Sequence, residues 1–239
     1  MKTDFVVYQQ DGKDFEGFIA LPKKSGQKLP AVLLIHDWTG LDEYEQMRTK
    51  MLAENGYVTL AMDMYGKGLR AKNHKEAGEL SGTYGKDRNL LRSRIATALQ
   101  VLKARPEVDP SRIAVVGYCF GGMAAIEAAL MAADINGVVT FHAALSFPTL
   151  AADAKNVRVP ILIHHGSADK FVSDSQVKAL KSEFDKAKVK YNLVVHPGAT
   201  HGFTLKSNVG HEEHFGMKYD AKADLASWAS MLSFLRNIL

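Results

Sequence analysis

Cysteine is nearly missing from this 239-residue chain, which holds one, Cys119. A single cysteine excludes an internal disulfide, so the fold has to rest on packing, and it is compatible with a reducing compartment. Long apolar runs are missing as well. No stretch approaches the ~18 residues of a membrane span, and the start, Met1-Lys2-Thr3-Asp4-Phe5, lacks the apolar segment of a signal peptide. A soluble, cytoplasmic protein is expected. Blocks of like charge, internal repeats and low-complexity tracts are absent too: 30 Lys and Arg against 26 Asp and Glu give +4, spread along the chain. That pattern disfavours nucleic acid as a partner and leaves small molecules, anionic ones included. What the chain does have is apolar material, 46% of its residues against 23% charged. This is enough for a large core, and the length suits one α/β domain over residues 1–239.

The continuous apolar run Ala31-Val32-Leu33-Leu34-Ile35 reads as a strand buried on both faces, as in parallel sheets. Two β-like segments precede it, Asp4 to Tyr8 and Phe15 to Ala20. Tyr57 to Met62, Ile113 to Val116, Gly137 to Phe141, Val159 to Ile163 and Tyr191 to Val195 follow it. Helical periods fill the gaps. Asp42 and Glu45 form a capping box for a helix ending near Asn55-Gly56. Leu91, Ile95, Ala98 and Leu102 mark the apolar face of another. Ser173 and Gln176 open a third, with Val177, Leu180 and Phe184 inward. Leu225, Trp228, Leu232 and Leu235 make the stripe of a last one. Strands alternating with helices predict a mostly parallel sheet covered on both sides. Residues 66–87, polar and glycine-containing, break the alternation and read equally as a lid or substrate loop or as a surface excursion with a short helix.

The most informative stretch is Ile113-Ala114-Val115-Val116-Gly117-Tyr118-Cys119-Phe120-Gly121-Gly122, with an Ala-rich helix from Met123 to Ala132. Strand, tight turn and helix, with glycines two before and two after the cysteine, form the nucleophile-elbow pattern with Cys for Ser. The glycines have a mechanical role, because side chains there would collide with the neighbouring strand and helix. The helix N-terminus also favours a thiolate. A buried, inert cysteine is the alternative, which the spacing argues against.

A nucleophile needs a base and an orienting acid, in α/β-hydrolase chain order nucleophile, acid, histidine. Asp169 follows one strand and His201 another, so Cys119, Asp169 and His201 satisfy the order at strand ends. Asp174 is better read as a helix-start acid, and His196 as part of its strand. His164 and His165 precede the acid, and His142 ends the strand after the elbow. His211-Glu212-Glu213-His214 is not the H-E-x-x-H zinc pattern and reads as a solvated loop, so no metal is expected. Nor do Gly66-Lys67-Gly68 follow a phosphate-cradling pattern. The oxyanion hole of this architecture takes the Phe120 N–H and a second N–H from the loop after an early strand, which points to Trp38.

With His36-Asp37-Trp38, Asp63-Met64-Tyr65-Gly66, Gly117 to Gly122, Gly166 to Asp169 and Gly198-Ala199-Thr200-His201-Gly202-Phe203 in place, the chain resembles the dienelactone hydrolase family over nearly its whole length. Tyr219 and Trp228 also look like the family's closing helix. The resemblance implies the α/β-hydrolase fold, a Cys-His-Asp triad, and hydrolysis of lactones or activated esters without a cofactor. It also implies a thiol-modulating carboxylate at Asp37, where the family usually has Glu. The family's arginine after the histidine has no counterpart in Phe203-Thr204-Leu205-Lys206. Two rivals remain: a thioesterase or peptidase, and a non-catalytic binding protein on the same scaffold.

Overall fold

The computed structural model describes residues 1–23, 26–208 and 216–239. These form two compact units, Met1–Val116 with Leu239, and Gly117–Ile238. Among the described residues no helix is long and apolar enough to cross a membrane.

In the first unit, β1 (Lys2–Gln10) and β2 (Lys13–Leu21) are an antiparallel hairpin. They turn through Asp11 and Gly12, both at positive φ, as an Asp-Gly hairpin turn requires. Each strand outruns its expected bounds, because polar residues at its ends keep the ladder after the apolar signal has stopped. β3 (Leu29–Ile35) and β4 (Val58–Met62) are parallel and buried, β2 runs antiparallel to β4, and β5 (Val108–Tyr118) follows β3 in the order β1-β2-β4-β3-β5.

α1 (Glu43–Glu54) starts on the Asp42/Glu45 capping box and ends at Asn55. Residues 66–87 are largely helical: α2 (His74–Lys86) is capped by Asn73 and ends at Asp87, whose side chain caps α3 (Arg88–Lys103) in turn. Three glycines inside α2 lower its helix propensity, and only Ala77 and Tyr84 are buried, so the apolar period is faint. Leu91, Ile95, Ala98 and Leu102 of α3 are buried together.

The second unit holds α4 (Phe120–Leu130), β6 (Gly137–Phe141), α5 (Leu150–Asp153), β7 (Ile161–Gly166), α6 (Asp174–Lys186), β8 (Tyr191–His196) and α7 (Ala221–Ile238). β6, β7 and β8 are parallel neighbours in that order. α4 is buried along its whole length, as a helix apolar all round must be. α6 opens on the Ser173/Gln176 capping box, with Leu180 and Phe184 buried and Val177 half-buried.

Two expectations are corrected here. β7 begins at Ile161, after Pro160, and runs on through His164 and His165 to Gly166, whereas apolar pattern alone placed it at Val159 to Ile163. The buried stripe of α7 is Ala223, Ser227, Met231 and Leu235, and Leu225 is 72% exposed. These four residues share one face at spacings of four, and Leu225 points elsewhere. The face against β6 and β7 is built partly from small residues, so weighting leucines rotated the expected stripe.

Candidate active site

Cys119 sits between β5 and α4 with φ 52° and ψ −115°, a sparsely populated conformation for a residue with a side chain. Its backbone is held from both sides. The Cys119 N–H donates to the Phe141 carbonyl at 3.0 Å, and the Cys119 carbonyl accepts from Gly122, Met123 and Ala144 at 3.0, 3.2 and 3.2 Å. A Cβ on Gly117 would lie 1.9 Å from the Gly121 carbonyl oxygen. Only glycine closes this turn. Phe120, the first residue of α4, sets its amide at the helix N-terminus beside Cys119.

His201 brings its Nε2 to 3.0 Å from the Cys119 Sγ. Its Nδ1–H donates to Asp169 Oδ2 at 2.8 Å, which fixes Nε2 as the nitrogen that exchanges a proton with sulfur. The other Asp169 oxygen accepts from the Phe171 and Val172 amides at 2.8 and 3.1 Å. The acid and histidine loops are fastened together: Ala168 N–H donates to the Ala199 carbonyl at 2.9 Å, and Gly198 N–H to Ser167 Oγ at 2.8 Å. Gly166 permits the approach, since a Cβ there would meet the Ala199 carbonyl oxygen at 2.3 Å.

Burial works against a charge on either partner, yet both are held in their charged forms. For Asp169 the upward push of burial is outweighed by the His201 hydrogen bond and charge and by the two amides, leaving it below the usual carboxylate range. For His201 burial pushes down, but its interactions with Cys119 and Asp169 raise it to about 10. His201 therefore keeps its proton at neutral pH. Phe171, 51% exposed, lies against this ring at 5.1 Å between centroids, and His142 meets it edge-on at 5.3 Å.

Of the other candidate histidines, three have hydrogen-bond partners of their own, while His165 is buried at the end of β7. His164 Nδ1 and His196 Nε2 share a hydrogen bond of 3.1 Å, and His142 Nε2 bonds Thr204 Oγ1 at 2.8 Å. Asp174 is the first residue of α6. Lys206 Nζ lies 6.0 Å from the centre of the Tyr219 ring. Among the described residues no three His, Cys, Asp or Glu side chains cluster as metal ligands; His211-Glu212-Glu213-His214 lies outside those residues.

In the first unit, Asp37 Oδ1 accepts from the Thr39 N–H at 2.8 Å and the Thr39 hydroxyl at 2.6 Å, an Asx turn. The Trp38 carbonyl accepts from the Tyr65 hydroxyl at 2.9 Å, and the indole stacks on His74. Two residues that shape this loop were not singled out for the purpose by sequence reasoning. Buried His36 donates from Nδ1 to the Asp37 carbonyl at 2.6 Å and accepts at Nε2 from the Met64 N–H at 3.1 Å. Burial pushes its pKa down to about 4. Glu45, known only as a cap, also accepts from the Asp37 N–H at 3.2 Å. Burial, then Asp37 and Asp42, hold it well above the carboxylate range.

Residues 15–239 match the dienelactone hydrolase family. A protein of Aquifex aeolicus named "Putative carboxymethylenebutenolidase" is 30% identical over 241 residues, covering 98% of each chain. A Bradyrhizobium protein named "Probable 2-oxo-3-(5-oxofuran-2-ylidene)propanoate lactonase" is 26% identical over 98% of this chain and 93% of its own. The crystal structure of a dienelactone hydrolase-like promiscuous phosphotriesterase from metagenomic libraries superposes with a TM-score of 0.92 at 29% identity, covering 99% of this chain and 98% of that one. The fold is that of an α/β-hydrolase.

Proposed function

We propose, from the premise that this chain belongs to the dienelactone hydrolase family, that it hydrolyses a lactone or activated carboxylic ester through a thioester formed on Cys119. The observation that carries this reading is the line of contacts from Sγ to His201 Nε2 at 3.0 Å and from His201 Nδ1 to Asp169 at 2.8 Å. The names of the Aquifex and Bradyrhizobium relatives point to lactones as the substrate class.

In the scheme, the Cys119 thiolate attacks the acyl carbon, and the Phe120 N–H holds the developing oxyanion. Trp38 N–H is assigned as the second donor on chain position alone. Collapse of the tetrahedral intermediate expels an alkoxide or enolate, which takes the proton from His201 Nε2. The same nitrogen then removes a proton from water, hydroxide attacks the thioester, and the thiolate leaves. Asp169 keeps Nδ1 protonated and stabilises the imidazolium throughout. A thiolate is a good leaving group as well as a good nucleophile, so the scheme suits esters whose own leaving group is stable, such as enol esters, and suits amides poorly.

The test is hydrolysis of p-nitrophenyl acetate and of an unsaturated γ-lactone by wild type and Cys119→Ala. Both substrates should turn over, and the variant should lose on the order of 10³-fold or more in kcat while remaining folded. Near wild-type kcat in Cys119→Ala would remove the nucleophile assignment. A phosphotriester and a thioester in the same panel separate the ester reading from its neighbours.

A further inference from the structure

We infer that His142 is a positioning residue, which through Thr204 ties the loop carrying His201 to the strand end that holds Cys119. The inference rests on the reading of Cys119, His201 and Asp169 given above, and adds to it the element that sets the distance between sulfur and imidazole.

Residues 141–144 form a brace around the elbow. Phe141 accepts the Cys119 N–H and Ala144 donates to the Cys119 carbonyl, so both backbone groups of the strained residue are held by one four-residue segment. His142 lies between these two anchors at φ 39°, in the left-handed region. Its own N–H donates to the His164 carbonyl at 2.8 Å, which fixes the turn to β7. The turn therefore aims the imidazole of His142 away from the strand and toward the histidine loop.

There the ring Nε2 shares its 2.8 Å hydrogen bond with Thr204 Oγ1, both groups being buried. Thr204 comes three residues after His201. On the other side of His201, the Gly198 and Ala199 contacts with Ser167 and Ala168 fasten the same loop. The histidine loop is tied on both sides of His201, with the Phe203 carbonyl also accepting from the Asp220 N–H at 3.0 Å and His201 bridging to Met217, and the His201 and His142 rings meet in a T at 5.3 Å between centroids. Of the ties named here, the Thr204 bond is the one that runs to the segment bracing Cys119. With it in place, Nε2 is held at 3.0 Å from Sγ, and a displacement of about 1 Å at such a contact is enough to cost about 10²-fold in rate. Packing alone does not call for this residue. A phenylalanine would fill the ring volume, but it would leave the Thr204 hydroxyl without this partner in a buried place.

The experiment measures kcat and KM for p-nitrophenyl acetate, with thermal unfolding, in His142→Phe, His142→Gln, Thr204→Val, Thr204→Ser, the His142→Phe/Thr204→Val double variant and Cys119→Ala. His142→Phe and Thr204→Val should lower kcat by about 10- to 100-fold, with KM within about twofold of wild type. The amide of His142→Gln can reach the place of Nε2, and Thr204→Ser keeps the hydroxyl, so both should recover most of the loss. The double variant should be no worse than the worse single one. Unchanged kcat in the Phe and Val variants, multiplicative losses in the double variant, or Gln and Ser variants as impaired as Phe and Val would overturn the inference. If His142→Phe does not fold, the Thr204 pair decides alone. An inactive Cys119→Ala beside an unaffected His142→Phe refutes this inference only. An active Cys119→Ala refutes the underlying reading.

Discussion

His201 is buried, yet its surroundings keep a proton on it, because its interactions with Cys119 and Asp169 together outweigh desolvation. In the proposed scheme His201 and Asp169 act as one unit, so their losses should not multiply. His201→Ala and Asp169→Asn are each expected to lower kcat/KM by about 10³-fold or more, and the double variant should be little worse than the worse single one. Steady-state kinetics on p-nitrophenyl acetate decides, and fully multiplicative losses would mean separate roles. That Cys119, His201 and Asp169 come together was legible in the sequence because the elbow has a rigid glycine spacing and the order of acid and base follows strand ends. Asp37 was less so: its family position suggests tuning of a thiol, while its side chain is occupied by the Thr39 turn. His36 and His142 carry no local pattern, since their hydrogen bonds join segments 28 and 62 residues apart.

Elements were legible where a local rule dictates them. The capping boxes of α1 and α6 stand where Asp42/Glu45 and Ser173/Gln176 placed them, because a cap is a contact within four residues. In α7 Leu235 of the expected stripe is buried, Trp228 and Leu232 are half-buried and Leu225 is exposed, because tertiary packing, not leucine content, selects the inner stripe. β7 was cut short because His164 and His165, polar in sequence, are buried in it. The elbow is the element with least room for change. Gly117→Ala places a methyl group in contact with the Gly121 carbonyl, so the turn must open and Cys119 must shift. The expected outcome is loss of stability by several kcal/mol, or of most esterase activity in whatever folds. Denaturant unfolding and kcat measure the two, and a wild-type result in both would contradict the described elbow.

For the molecule as a whole, buried histidines make stability depend on pH: burial lowers the pKa of His36, His164, His165 and His196 alike, and of the first two most clearly. His36 in the first unit is pushed down to about 4, and His164 in the second to about 3, in both cases mainly by burial. Unfolded, each takes up a proton near pH 6.5, so below that pH the unfolded chain binds more protons than the native one. Stability must then fall as pH drops from about 6.5 toward 4. The contribution of Asp169 is lost only at lower pH, because its folded pKa lies below the ordinary carboxylate value. The raised affinity of His201 has the opposite sign: its contribution is full below 6.5 and is lost as pH rises through about 10. The urea midpoint should therefore fall between pH 7 and pH 4, and by less in His164→Gln; equal slopes in the two proteins would remove His164 from the account. The fold class was open to sequence reading because alternating buried strands and helices leave few architectures, whereas the proton balance of buried histidines appears only when the chain is folded. The central claim, a thioester on Cys119, is tested most directly by acid-quenching wild-type enzyme in the first turnovers of p-nitrophenyl acetate and mapping the peptides by mass spectrometry. The account predicts one acetyl group, on the peptide containing Cys119. Turnover with that cysteine unmodified, or an acetyl group on another residue, would contradict it.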